Sequence, residues 1–94
     1  MANRIELEGR LARAPELRVT PAGTPVLKLA VECAEPGEQL RLEVVMAGEA
    51  AQAIAPLLKR GSAVAVAGRL RACGARTIGS VGVELIANRI EPQG

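Results

Sequence analysis

The residues of this chain best suited to bind a ligand are arginines concentrated in one glycine-rich stretch. Residues 68–82 contain Arg69, Arg71 and Arg76, together with four glycines and no acidic residue. A guanidinium presents several N–H donors in a fixed plane that matches phosphate and carboxylate groups. The wider segment 50–83 adds two more basic residues and is also free of acids. This charge segregation predicts an anionic partner at one end of the molecule, with an ordinary solvated surface as the alternative.

The composition argues against a catalytic or metal-binding role. The sequence has no histidine, no aspartate and no aromatic residue, so neither a Ser-His nor a Cys-His pair can be assembled. Cys33 and Cys73 are too few for a zinc site or a disulfide framework. We expect both to be reduced thiols that pack as small apolar residues. The sequence therefore predicts a protein that is not an enzyme and that needs no cofactor or metal.

The hydropathy of the chain indicates a cytoplasmic protein. Its apolar runs are all far shorter than the ~20 residues of a membrane span. The first residues, MANRIELEGR, alternate charged and apolar types and do not have the character of a secretory signal. With 94 residues, we expect a single domain over 1–94.

Alternation of apolar and polar residues with a period of two predicts an all-β protein. A short alternating segment also surrounds Leu17 and Val19. The five main strands are expected near residues 5–11, 26–33, 39–46, 63–71 and 81–90.

One helix and two glycines complete the predicted fold. An alanine-rich segment begins at Glu49 and ends before Gly61, and Pro56 makes a short or kinked helix the expected form. Five strands with a short helix between strands 3 and 4 predict an OB-fold, a small Greek-key barrel. The strand bends that such a barrel needs are expected at Gly9 and Gly68.

The opening of the chain resembles that of the bacterial single-stranded DNA-binding protein family. The features that carry the resemblance are, in order, Asn3-Arg4, a strand, Gly9, Pro15-Glu16-Leu17-Arg18, the turn Pro21-Ala22-Gly23, and Pro25. Within that family the sequence is most similar to the short relatives of the primosomal replication protein N (PriB) group. Its last residues, 91–94, lack the acidic-tipped tail typical of the longer members, so the expectation from the resemblance is a tailless relative.

This resemblance implies an OB-fold homodimer that binds single-stranded DNA. It also implies a role in the replication-restart primosome, where the protein aids the restart helicase PriA, passes DNA on to DnaT and so helps to reload the replicative helicase at stalled forks. The expected dimer contact is the first strand, Asn3–Leu11, whose exposed edge could pair about a two-fold axis.

Seven cations are candidate DNA-binding residues. In an OB-fold the loop between the fourth and fifth strands contacts nucleic acid, and the arginine-rich stretch occupies that position. Arg71 and Arg76 are therefore the principal candidates, whereas Arg69 could instead point around the barrel edge. The weaker candidates are two arginines that match basic positions of the family and two cations on polar strand faces, namely Arg13, Arg18, Lys28 and Arg41. The last two could equally pair with Glu43 or Glu32 across the sheet.

The absence of aromatic residues sets the expected strength of binding. The family relies partly on stacking, which is worth about 1–3 kcal/mol per base, so here charge must carry the interaction. We expect weak, salt-sensitive binding. One alternative is a protein-interaction adaptor of the primosome with little DNA affinity of its own. A second alternative, an OB-fold that binds RNA, fits the charge but not the opening motif.

Overall fold

The described part of the chain folds as six strands, one short α-helix and one 3₁₀ turn. The computed structural model describes the backbone of residues 3–35, 38–77 and 80–93. It also describes the side chains of these residues, except those at 34–39 and 73–82. In chain order the elements are β1 (Ile5–Leu11), β2 (Glu16–Val19), β3 (Pro25–Glu35), β4 (Glu38–Ala47), α1 (Glu49–Ile54), a 3₁₀ turn (Ala55–Leu57), β5 (Ala63–Thr77) and β6 (Ser80–Gln93).

The long strands close into a barrel. β1 pairs antiparallel with β5 through Ile5–Arg10 and with β3 through Arg10 and Leu11. β5 continues antiparallel to β6, β6 runs parallel to β4, and β4 returns antiparallel to β3. The ring β1–β5–β6–β4–β3 is thereby closed, and β2 lies outside it on the free edge of β3. This closed mixed sheet is the barrel that the alternation predicts, and β1 changes partners beside Gly9, where a bend is expected.

The helix follows the fourth strand rather than the third. The segment Glu16–Val19 forms a ladder of its own with β3, so the prediction of a helix between strands 3 and 4 is wrong in its strand count. The expected kink is confirmed: α1 ends at Ile54, and the chain passes through a 3₁₀ turn that contains Pro56. Among the described residues, no helix is long and apolar enough to cross a membrane.

The barrel interior is aliphatic, since the sequence has no aromatic residue to fill it. Alternation along β3 sends Leu27, Leu29 and Val31 inward, where they are fully buried, while Lys28 between them points outward and is exposed. Burial of each such aliphatic side chain contributes about 1.5–3 kcal/mol. This packing stabilises the strands of the barrel and so determines which residues face outward.

Gly68 is a site of close backbone approach between β5 and β6. A Cβ atom built there would lie 2.0 Å from the carbonyl oxygen of Ile86, a distance that no side chain can occupy. The β5–β6 register also shifts between Ala67 and Gly68, which is the irregularity expected of a bent strand. The shift lies where the bend is predicted, and it sets the pairing of residues 69–72 with β6 before the register shifts again beyond Ala72.

Candidate nucleic-acid interface

The arginine-rich stretch is mostly strand and not a loop. β5 extends to Thr77, and the chain is again in β6 from Ser80, so most of residues 68–82 form the arms of a long hairpin. Arg69 and Arg71 consequently have defined partners on β6. The side chain of Arg76 lies outside the described residues, so its role stays a prediction.

Cross-strand neighbours on the outer face of the barrel form a row that we call the cationic row. Lys28 on β3 lies opposite Val45 on β4, Val45 lies beside Ile86 on β6, and Ile86 lies opposite Arg69 on β5. Directly paired residues share one face of a sheet. The row crosses three strand spacings, which is about 14 Å between the outer Cα atoms.

The cationic row consists of two free charges with an apolar centre. Lys28 and Arg69 are exposed, and neither forms an ion pair with another side chain that the structure describes. Val45 and Ile86 are half-buried and are not among the residues that pack against the core. The register places Arg69 on this face, and the alternative that its side chain points around the barrel edge stays a prediction.

Each end of the cationic row opens onto a pocket that contains a second cation. At the Lys28 end, Arg18 and Val19 help to line a pocket of about 250 Å³. At the Arg69 end, Arg4 helps to line one of about 230 Å³. The second cation at the Arg69 end forms no described ion pair, whereas Arg18 at the Lys28 end is paired with Glu16, so positive charge continues beyond the row at the Arg69 end.

The Arg4 position is fixed by its neighbour Asn3. The side-chain nitrogen of Asn3 donates to the Leu70 carbonyl oxygen at 2.9 Å, and the Leu70 N–H donates to the Asn3 side-chain oxygen at 3.1 Å. These two hydrogen bonds hold the residues just before β1 against β5, next to Arg69. The asparagine of the opening motif thus has a structural role that brings a further cation to the face.

A second row on the same face, which we call the carboxylate row, lies two residues further along the strands, about 7 Å away. Ala30 on β3 lies opposite Glu43 on β4, Glu43 lies beside Glu84 on β6, and Glu84 lies opposite Arg71 on β5. Its centre is acidic where the centre of the cationic row is apolar.

Both glutamates of the carboxylate row are paired with arginines. Arg13 donates to Glu43 at 2.9 Å. Arg71 donates from Nε to Glu84 Oε1 at 3.0 Å, and its Nη2 contacts the same oxygen. The absence of acids within the arginine-rich stretch therefore does not leave Arg71 free, because β6 supplies Glu84 across the hairpin. Arg13 and Arg71 are occupied in the free protein.

The remaining candidates divide in the same way. Arg18 forms an ion pair with Glu16, which lies opposite Lys28 on β2. Arg41 is exposed and lies opposite Glu32 in the β3–β4 register, and the alternative that the two side chains pair stays a prediction. Lys28 differs, because its β4 neighbour is apolar. Of the seven candidates, Lys28 and Arg69 are the two that one row brings together without a described acid bound to them.

Three residues of this face are absent from the sequence-based candidates. Val45 and Ile86 form the apolar centre of the cationic row, and Arg4 extends it. A signal for the first two exists in the sequence, since Val45 stands at a polar-face position of an alternating strand and Ile86 follows the buried Leu85 directly. Adjacent apolar residues at outward strand positions are a feature of contact surfaces, whereas a single one is ordinary.

The single-strand binding protein family matches residues 2–91 of the chain. The chain is 38% identical over 78 residues to single-stranded DNA-binding protein 3 of Listeria innocua and 37% identical over 78 residues to the single-stranded DNA-binding protein of Halalkalibacterium halodurans. Each alignment covers 76% of this chain, against 49% and 46% of those proteins. The chain thus spans about half the length of the curated relatives it matches.

Solved structures agree with the OB-fold. The single-stranded DNA-binding protein of Thermus aquaticus superimposes with a TM-score of 0.84 at 31% identity, over 99% of this chain and 41% of that one. The corresponding domain of a Synechococcus protein superimposes with a TM-score of 0.80 at 27% identity, over 97% of this chain and 96% of that one. The predicted OB-fold and the resemblance to this family are confirmed, while the narrower resemblance to primosomal replication protein N stays a prediction.

Proposed function

Because this chain belongs to the single-strand binding protein family, we propose that it binds single-stranded DNA across the outer face of β3, β4, β6 and β5. The family consists of non-enzymatic DNA-binding proteins, which confirms the prediction that the chain is not an enzyme. The DNA lies across the strands along the cationic row, with its backbone near the terminal cations and its bases over the apolar centre.

The observation that carries this proposal is the cationic row itself. Lys28 and Arg69 stand at its ends with no described acid bound to them, and Val45 and Ile86 lie between them. The cations attract phosphates, and their contacts release counterions, which makes binding weaken as salt rises. The two aliphatic side chains offer bases a surface to cover, with less affinity than the aromatic stacking that the sequence lacks.

The test removes both row cations at once. The double variant Lys28→Gln, Arg69→Gln should bind a labelled oligodeoxythymidine roughly 5- to 30-fold more weakly at low salt and flatten the slope of log K against log salt by about 1.4. Fluorescence anisotropy at several salt concentrations measures both quantities. Both changes follow from the loss of two phosphate contacts, because each contact with single-stranded DNA contributes about 0.7 to the salt slope.

The matched control removes the same charge elsewhere. Lys59 and Arg60 are exposed and lie between the 3₁₀ turn and β5, outside both rows. Lys59→Gln, Arg60→Gln should change the affinity less than about threefold, since it alters only the long-range field. Equal losses in the two double variants would show that DNA does not use the cationic row.

We also propose a homodimer that pairs through β1. One edge of β1 is bound to β5 over Ile5–Arg10, while its ladder with β3 is limited to Arg10 and Leu11. An unpaired strand edge favours association with a second strand. Sedimentation at micromolar concentration should give about twice the 9.8 kDa of one chain. A species of one-chain mass alone would contradict the dimer.

The cellular role that we propose is in replication restart, in the cytoplasm, as an accessory to the helicase PriA and to DnaT. The support is the resemblance of residues 3–25 to the primosomal replication protein N group. Addition of the protein to PriA on a forked DNA substrate should raise the unwinding rate. An unchanged rate with a protein that binds DNA would remove the primosome role while leaving the DNA-binding proposal intact.

A second candidate function is a protein-interaction adaptor with little DNA affinity of its own. Two observations favour it: the chain has no aromatic residue, and Arg13 and Arg71 are already bound to glutamates. The adaptor alternative predicts no anisotropy change with DNA even near 50 mM salt, where charge-driven binding is strongest, together with retained stimulation of PriA.

A further inference from the structure

Two glutamates stand side by side in the middle of the proposed DNA-binding face. Glu43 and Glu84 are direct neighbours in the parallel β4–β6 ladder, so their Cα atoms lie about 5 Å apart. Like charges at such positions repel each other. Each glutamate is neutralised by one arginine, Glu43 by Arg13 and Glu84 by Arg71, which brings the net charge of the group to zero.

The pair between Arg71 and Glu84 is the tighter of the two. Nε and Nη2 of Arg71 both contact one oxygen of Glu84, whose side chain is only 16% exposed. A carboxylate that is partly removed from water depends on its partner charge. A DNA phosphate that took Arg71 away would leave Glu84 charged and unpaired beside Glu43. In the pair of Arg13 with Glu43 the carboxylate is more exposed, at 40%, so this pair is correspondingly easier to exchange.

We propose that Glu43 and Glu84 form a carboxylate barrier that withholds Arg13 and Arg71 from DNA and thereby lowers its affinity and limits its path. This inference rests on the proposed function, because the barrier borders the same face. The barrier lies about 7 Å from the cationic row, so a phosphate that leaves the row in this direction meets two arginines that are already paired with carboxylates. The DNA therefore follows the cationic row across the strands.

The direction of the expected effect separates this proposal from a general basic surface. On a general basic surface, every arginine adds affinity and the glutamates matter little. With the barrier, neutralising one glutamate frees an arginine for a phosphate and also removes a repulsion. Loss of an acid at this place must therefore tighten DNA binding by more than loss of an acid at another place.

The experiment compares Glu84→Gln with Glu91→Gln. Both residues are on β6, both pair with an arginine, and Glu91 lies outside both rows with Arg89 as its partner at 3.4 Å. Glutamine keeps the size of the side chain and removes its charge. Glu84→Gln should bind labelled oligodeoxythymidine roughly 3- to 10-fold more tightly, with a salt slope steeper by about 0.7, whereas Glu91→Gln should change affinity less than about twofold.

A second variant guards against a folding defect at the less exposed position. Glu43→Gln is at a half-exposed side chain and should also tighten binding, by less than Glu84→Gln because Arg13 is held less firmly. Thermal unfolding followed by circular dichroism identifies any variant that does not fold.

The outcomes distinguish the barrier from the proposed function. If the wild type binds and depends on Lys28 and Arg69, but neither barrier variant binds more tightly than Glu91→Gln, the barrier is overturned and the DNA-binding proposal stands. If the wild type and both barrier variants fail to bind at low salt, both proposals fall. Tighter binding in either barrier variant, relative to the control, supports the barrier.

Discussion

The cationic row and the carboxylate row lie side by side on the same face of the same four strands, yet an anion meets free cations in the first and arginines already paired with carboxylates in the second. In the first, Arg69 lies opposite Ile86 and carries no described ion pair. In the second, Arg71 lies opposite Glu84 and is bound to it. The two arginines are two residues apart, on one strand and on one face, and they have different cross-strand neighbours on β6.

This contrast shows that the strand beside an arginine decides whether its guanidinium is already paired. A guanidinium next to an aliphatic residue is free to meet a phosphate, whereas one next to a carboxylate must first exchange its partner. The residue type is the same at the two positions. The cross-strand register is what differs, and three experiments use it.

The largest effect is expected when the register itself is broken. Gly68→Ala places a Cβ where the Ile86 carbonyl lies 2.0 Å away, so β5 must shift against β6 and both rows lose their alignment. We expect the free energy of unfolding, measured by urea denaturation, to fall by about 2–4 kcal/mol. The folded fraction of the variant should also bind DNA more weakly than the wild type.

A glycine in a turn is the control for that change. Gly23 has a φ of 88° with open space around its Cβ position, so Gly23→Ala should cost only about 1–2 kcal/mol from backbone conformation. If Gly68→Ala proves no more destabilising than Gly23→Ala, close approach at Gly68 is not what aligns the two rows.

An intermediate effect is expected when one row is converted into the other. Val45→Glu puts a carboxylate beside Lys28, as Glu84 is placed beside Arg71. We expect about tenfold weaker binding of single-stranded DNA, because one phosphate contact is lost and a repulsion is added. Anisotropy titration measures it, and Val45→Gln is the uncharged control of the same size. Equal affinities of the two variants would mean that DNA does not cross Val45.

The smallest effect separates the two arginines by stability. Arg71→Gln leaves Glu84 without its partner and should lower the free energy of unfolding by about 1 kcal/mol, a value limited by the half-exposed guanidinium. Arg69→Gln should stay within about 0.5 kcal/mol of the wild type. The double variant Arg71→Gln, Glu84→Gln should recover most of the loss in urea denaturation. A loss of the same size at Arg69 would remove the distinction between the rows.

Much of the barrel could be predicted because its signals are local. Alternation along β3 separates Leu27 and Leu29 from Lys28, and Pro56 accounts for the break after α1. The sequence-based count of main strands omits Glu16–Val19, because a strand this short is stabilised only by its ladder with β3. The site was harder, because Arg71 and Glu84 are far apart in the sequence and nothing local indicates that they pair.

Composition and alternation along the chain already indicate a small aliphatic barrel that has charge, and no aromatic stacking, to offer an anionic partner, because they decide which groups face water. Only the tertiary structure decided which charges are free. The register shift beside Gly68 sets the pairing of residues 69–72 with β6, and a slip of one residue there would turn these side chains to the other face. That pairing put Arg69 beside Ile86 and Arg71 beside Glu84, so the difference between an available and an occupied arginine comes from contacts between distant parts of the chain.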